Sequence, residues 1–146
     1  MSALLVAAIL ALFPYLTTRA LRASIVEHQA EIADLGDAAA TARGVPPAIL
    51  ITVAFLETHW GYDPGEYGGW GAPASRFTRH VAGTPDDAAG ALHASYVVCG
   101  TWLGAISRFR SGLCVQPANY PGYTATYALR LAIHVADAVG SHEVWR

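Results

Sequence analysis

An all-α protein, or an α protein with a minimal β lobe, is predicted by three features of the sequence. Apolar residues recur at three- and four-residue steps through much of the chain. Helix starts and stops punctuate it, and no stretch alternates convincingly at period two. With 146 residues, 53% of them hydrophobic and only 14% charged, the chain supports one core and hardly more than one domain.

Residues 3 to 16 form an uncharged apolar run, shorter than the roughly 20 residues that cross a bilayer comfortably. Basic residues precede the apolar stretch of a secretory signal, but here Arg19 and Arg22 follow it. Three readings stay open for residues 1–18: an uncleaved membrane anchor, a signal segment, or a helix buried on the rest of the domain or on a partner in a larger assembly. Thr18 to Arg43 reads as an amphipathic helix through Leu21, Ile25, His28, Ile32 and Leu35. An interruption is expected at Gly36, so that 19–36 is a connecting helix and 37–146 the main domain. Gly44 is the expected stop.

Pro46 and Pro47 suit a helix start, and the run to Glu57 gives about three turns, with an end expected at Gly61. From Tyr62 to Gly83, Asp63-Pro64-Gly65 and Gly68-Gly69-Trp70-Gly71-Ala72-Pro73 break the chain too often for a helix, which predicts a long binding loop. Thr84-Pro85-Asp86-Asp87 is a helix start, with a capping threonine, proline at the first position and acids at the positive end of the dipole. That helix is expected to reach about Val98. A short helix follows over Trp102 to Phe109, ended by Ser111-Gly112, and a last one over Tyr123 to Val139.

The net charge of −2 and a pI near 6.3 leave no basic footprint for nucleic acid, and all nine cations are arginines. Cys99 and Cys114 are an even pair compatible with one disulfide, or with two buried thiols. No Cys-x-x-Cys and no helical His pair beside a carboxylate occurs, so the sequence implies no metal and no cofactor.

Glu57 is the candidate catalytic residue. At 3.6 residues per turn it shares a face with Leu50, Val53 and Ala54, so its carboxylate continues an apolar stripe. Such surroundings disfavour the charged form and raise a carboxyl pKa, as a general acid near neutral pH requires. The competing reading is a helix-end carboxylate satisfied by a cap or an arginine.

Several stretches together resemble the lysozyme-like fold, in particular the soluble lytic transglycosylase family. Ala42 to Leu50 is similar to that family's opening, a small helix followed by Gly-Val-x-Pro-x-Leu-Leu. Phe55-Leu56-Glu57-Thr58 resembles its catalytic Glu-Ser step, with threonine for serine. Ala105 to Gly112 resembles Ala-x-x-x-Tyr-Asn-x-Gly, with Phe109-Arg110 in place of Tyr-Asn, and Pro121-Gly122-Tyr123 a later Gly-Tyr segment. The family's Gly-Leu-Met-Gln is replaced by Gly69-Trp70-Gly71-Ala72-Pro73. Glu57-Thr58-His59-Trp60-Gly61 also resembles the Glu-Thr-x-Trp-Gly of bacterial glucosaminidases, which share the lysozyme-like core.

The resemblance implies cleavage of the β-1,4 bond between N-acetylmuramic acid and N-acetylglucosamine in peptidoglycan, by a cell-envelope enzyme or one carried by a phage. It further implies that one glutamate suffices, protonating the glycosidic oxygen and then removing the proton from the 6-hydroxyl to close a 1,6-anhydro ring. A hydrolase would instead need a second carboxylate, for which Asp63 and Glu66 are the candidates, both otherwise ordinary loop acids. Tyr67 and Trp70 are the preferred sugar platforms. Trp60, Phe109 and Tyr123 either border the cleft or fill the core. Arg110 either pairs with Glu57 or meets substrate carboxylates. A further reading, from a different class, is a structural virion or envelope protein with a degenerate, non-catalytic domain.

Overall fold

The computed structural model describes residues 2–15, 18–62, 70, 84–141 and 145. These residues form helices and connections, with no strand among them: α1 Ser2–Leu12, α2 Arg19–Glu27, α3 Gln29–Arg43, α4 Pro47–Thr58, α5 Pro85–Cys99, α6 Trp102–Ser111 and α7 Ala125–Ala138.

The apolar sequence of α4 places it at the centre. Every residue from Ala48 to Phe55 is buried, because α1, α3, α5 and α7 all pack around it. A helix that is apolar all round needs such a jacket. Pro47 occupies the first turn, where its missing N–H costs nothing. Gly44 (φ 68°) ends α3, its N–H and that of Val45 returning to the last carbonyls.

The apolar run at the N-terminus becomes α1, and α1 is a core helix. Leu5, Val6, Ile9 and Leu10 are buried against α3, α4 and α7. Both ends are tied: the Ser2 hydroxyl donates to Asp37 Oδ1 (2.9 Å), and Arg22 Nη1 donates to the carbonyls of Leu10 (3.1 Å) and Phe13 (3.0 Å). A cation at these last carbonyls also opposes the negative end of the helix dipole. No single described helix is long and apolar enough to cross a membrane.

The break expected at Gly36 lies instead at His28, whose imidazole Nδ1 sits 2.8 Å from the Ser24 carbonyl oxygen at the end of α2. α3 runs unbroken through Gly36. The glycine serves close packing: a Cβ there would stand 2.8 Å from Ile51 Cγ1 on α4 and 3.2 Å from the Trp70 ring. Gly36→Val is therefore expected to destabilise the fold by about 2 kcal/mol through overpacking, lowering Tm by roughly 5–8 °C in a thermal melt.

Thr84 caps α5, as the sequence predicts; Asp87 caps it in return, accepting from Thr84 N, and α5 extends to Cys99. Arg43 grips Asp86 with two hydrogen bonds of 2.9 and 2.6 Å, joining the end of α3 to the start of α5. The bond from Arg43 holds the Asp86 carboxyl below its ordinary value, but both side chains are half exposed and the pair adds little to stability. Cys99 and Cys114 form a disulfide with Cα atoms 5.6 Å apart, closing the turn from α5 through α6. For a loop of this size, reduction is expected to remove about 3 kcal/mol, read as a shifted urea midpoint with and without reductant.

Candidate functional site

α4 stops one residue after Glu57. His59 (φ 49°) and Trp60 (φ 57°) both adopt the left-handed conformation, which L-residues with bulky side chains rarely take. The helix thus ends at Thr58, short of the expected Gly61, and Trp60 folds back into the core. Its Nε1 donates to the Ile51 carbonyl (2.9 Å) and its ring meets Phe55 at 5.2 Å. Two consecutive strained residues beside a half-buried carboxylate mark a position that packing must hold in place.

Two partners of Glu57 among the described residues come from α6 and from the segment before α7. The Tyr123 hydroxyl donates to Glu57 Oε1 at 2.6 Å, a length typical of a charge-assisted bond. Arg110 Nε lies 3.7 Å from the same oxygen, an ion pair rather than a hydrogen bond. The two side chains of that pair are 10% and 25% exposed, Arg110 being the deeper. The purely apolar surroundings expected from the helical stripe are therefore replaced on this side by a phenol and a guanidinium. Both stabilise negative charge on Oε1.

Arg110 also organises the chain that carries Tyr123. Its Nη1 donates to the Tyr123 carbonyl and its Nη2 to the Pro121 carbonyl (3.0 Å). The guanidinium carbon lies 3.8 Å from the Tyr123 ring centroid and 5.3 Å from that of Tyr120. Tyr120 returns a hydrogen bond from its hydroxyl to the Arg110 carbonyl (2.7 Å). Gly122 is favoured at the turn by its positive φ of 88°, which L side chains rarely adopt, and a Cβ there would also displace the tip of Arg110. Gln116 completes the clasp: its Oε1 accepts from Ala125 N (2.8 Å), at the first residue of α7.

Burial first, and the adjacent Glu57 charge second, push the Tyr123 phenol well above its ordinary value, with Arg110 opposing. Tyr123 therefore keeps its proton throughout the physiological range. It is a constant donor to Glu57.

The structure brings Glu57, Arg110 and Tyr123 together, and it places three other candidates elsewhere. Trp60 (3% exposed), Trp70 (6%) and Phe109 (3%) are core residues with no face open for a sugar to stack on. Trp70 packs where Gly36 leaves room, and Phe109 lies on the buried side of α6. Asp63, Glu66 and Tyr67 lie outside the described residues. Tyr120 and Gln116, which hold the clasp, carry no periodic or motif signal. Only their nearness in sequence to Pro121-Gly122-Tyr123 could have drawn attention to them.

Grooves lined by described residues include the following three, none of which Glu57 lines. One of about 550 Å³ lies at the opposite end of α4, between Pro46, Pro47, Tyr96, Trp102 and Trp145. An apolar one of about 380 Å³ separates the ends of α1 and α4. The third, about 230 Å³, adjoins Cys114. Chemically, the Glu57 cluster offers one carboxylate able to exchange a proton, a phenol fixed as donor to it, and a positive charge beside it. A comparison of the chain with protein-family models, with curated proteins and with solved structures finds no match in any of the three.

Proposed function

We propose that the chain is a lysozyme-like peptidoglycan lytic transglycosylase of the cell envelope or of a phage particle, with Glu57 as its single acid and base. One observation carries the reading. Three separate stretches that resemble transglycosylase motifs, around Glu57, Arg110 and Tyr123, converge within hydrogen-bond and ion-pair distance of one carboxylate oxygen.

In this reading the protonated Glu57 gives its proton to the glycosidic oxygen as the bond to the muramic acid C1 breaks. The resulting carboxylate then takes the proton of the 6-hydroxyl, which closes on C1. Tyr123 and Arg110 stabilise the carboxylate formed in the first step and hold it in one rotamer for the second. Water takes no part, so no second carboxylate is needed. Hydrolysis would require one, such as Asp63 or Glu66.

The buried positions of Trp60, Trp70 and Phe109, and the dense contacts of Arg110, favour a second reading. There Glu57 is a structural tie joining α4, α6 and the segment before α7 in a non-catalytic envelope or virion protein. Digestion of purified peptidoglycan with the full chain, followed by mass spectrometry of the released muropeptides, separates the readings. Anhydro products, one water lighter than hydrolytic ones, are expected. Hydrated products would indicate a hydrolase, and no release from folded protein the structural tie.

A further inference from the structure

Tyr123 reaches Glu57 from a stretch that has no helix of its own. Between Ser111, where α6 ends, and Ala125, where α7 begins, the chain has no helical ladder to fix it, so side chains must hold it in place. The hydroxyl that donates to Glu57 Oε1 at 2.6 Å stands at the far end of a rigid ring. A small rotation of the backbone at Tyr123 is magnified there, and a hydrogen bond weakens steeply as its length and angle are lost.

One side chain spans the point where this stretch enters α7. Gln116 Oε1 accepts from Ala125 N (2.8 Å), and its Nε2 donates to the Tyr123 carbonyl at 3.4 Å, the longer and weaker bond of the two. Its partners are one N–H and one carbonyl, so a single orientation of the carboxamide satisfies both. Gln116 is itself anchored. Two residues before it, Cys114 is bonded to Cys99 at the end of α5, and the Leu113 carbonyl accepts from the Ser107 (2.7 Å) and Ser111 (3.3 Å) hydroxyls of α6. The frame on which Gln116 stands is therefore fastened to α5 and α6. Arg110 also holds the Tyr123 carbonyl, but it faces Glu57 Oε1 as well and so acts on the carboxylate directly. The hydrogen bonds of Gln116 go to the backbone of Tyr123 and Ala125 and not to Glu57.

We propose that Gln116 is a positioning residue of the Glu57 site, passing the fixed frame of α6 and the disulfide on to the Tyr123 hydroxyl. It touches no reacting group. The inference deepens the transglycosylase reading and rests on it for the effect on rate, whereas the effect on the contact between Tyr123 and Glu57 does not depend on that reading.

Carbon-13 NMR of the Glu57 side-chain carboxyl in the full chain, assigned by its loss in Glu57→Gln, reads that contact. Tyr123 and Arg110 are the groups facing this carboxylate among the described residues. Tyr123→Phe removes a donor that favours the charged form, so the titration midpoint is expected to rise by about one pH unit. Gln116→Met keeps the length of the side chain and loses both hydrogen bonds; a rise of about half a pH unit is expected. The two substitutions together should rise no further than Tyr123→Phe alone, because Gln116 acts only through the phenol. General loosening of the fold would instead add to the effect. Gln116→Asn, one methylene short of its partners, is the second variant and should fall between the parent and Gln116→Met. On soluble peptidoglycan fragments, Gln116→Met is expected to lower kcat by about threefold with KM unchanged. The inference is overturned if both Gln116 variants leave the midpoint at the parent value, or if their shift adds in full to that of Tyr123→Phe. A folded parent that releases no muropeptide while the midpoints move as described would overturn the transglycosylase reading and uphold the positioning of Tyr123.

Discussion

Glu57→Gln is expected to lower muropeptide release by at least about a thousandfold, some 4 kcal/mol of transition-state stabilisation, because no other described group near Oε1 can both give and take the proton. Glutamine has the same shape and still accepts from Tyr123, so the loss should come with little change in Tm. Arg110 loses its ionic partner but keeps its two carbonyl acceptors and both tyrosine rings. Tyr123→Phe removes the donor and leaves the ring under the guanidinium. A fall of roughly ten- to a hundredfold in rate is expected, again without unfolding. The structural reading predicts a different pattern: no release by the folded parent, and so no rate for either substitution to lower. Measuring turnover and Tm on the same samples distinguishes the two.

Ile9→Ala is expected to destabilise the protein by about 3 kcal/mol, since the Ile9 side chain is fully enclosed between α1 and its neighbours and its truncation leaves a cavity. In a domain of this size that corresponds to a Tm lower by roughly 10 °C. Leu4→Ala, at a residue of α1 that is 56% exposed, should change Tm far less. The contrast is diagnostic of how α1 is used. A helix that serves only as an anchor would leave the melt of the remaining domain indifferent to both substitutions, whereas a core helix makes them unequal. Equal, negligible effects in urea titrations of the two variants would show that α1 does not pack as described.

The local signals of this chain were legible in its residues. Thr84 with Asp87, Gly44, Pro47 and Gly112 mark helix ends by the backbone groups they satisfy or the left-handed turns they permit, and such short-range chemistry depends on neighbours in sequence alone. The all-α class, the candidacy of Glu57 and a possible bond between Cys99 and Cys114 follow from the same kind of reading. Gly36 shows where it ends. In sequence a glycine inside a helical pattern suggests a break, and only the approach of Ile51 from α4 makes it a packing residue. The apolar run of α1 suits a bilayer and a protein core equally well, because burial of hydrocarbon does not depend on what covers it; α3, α4 and α7 supply the cover. Likewise Trp70 and Phe109 are aromatic whether they stack on a ligand or fill a core. The tertiary structure decided those fates, and it brought Arg110 and Tyr123 to Glu57 across gaps of more than fifty residues, a convergence that rests on long-range packing and leaves no local trace in the sequence.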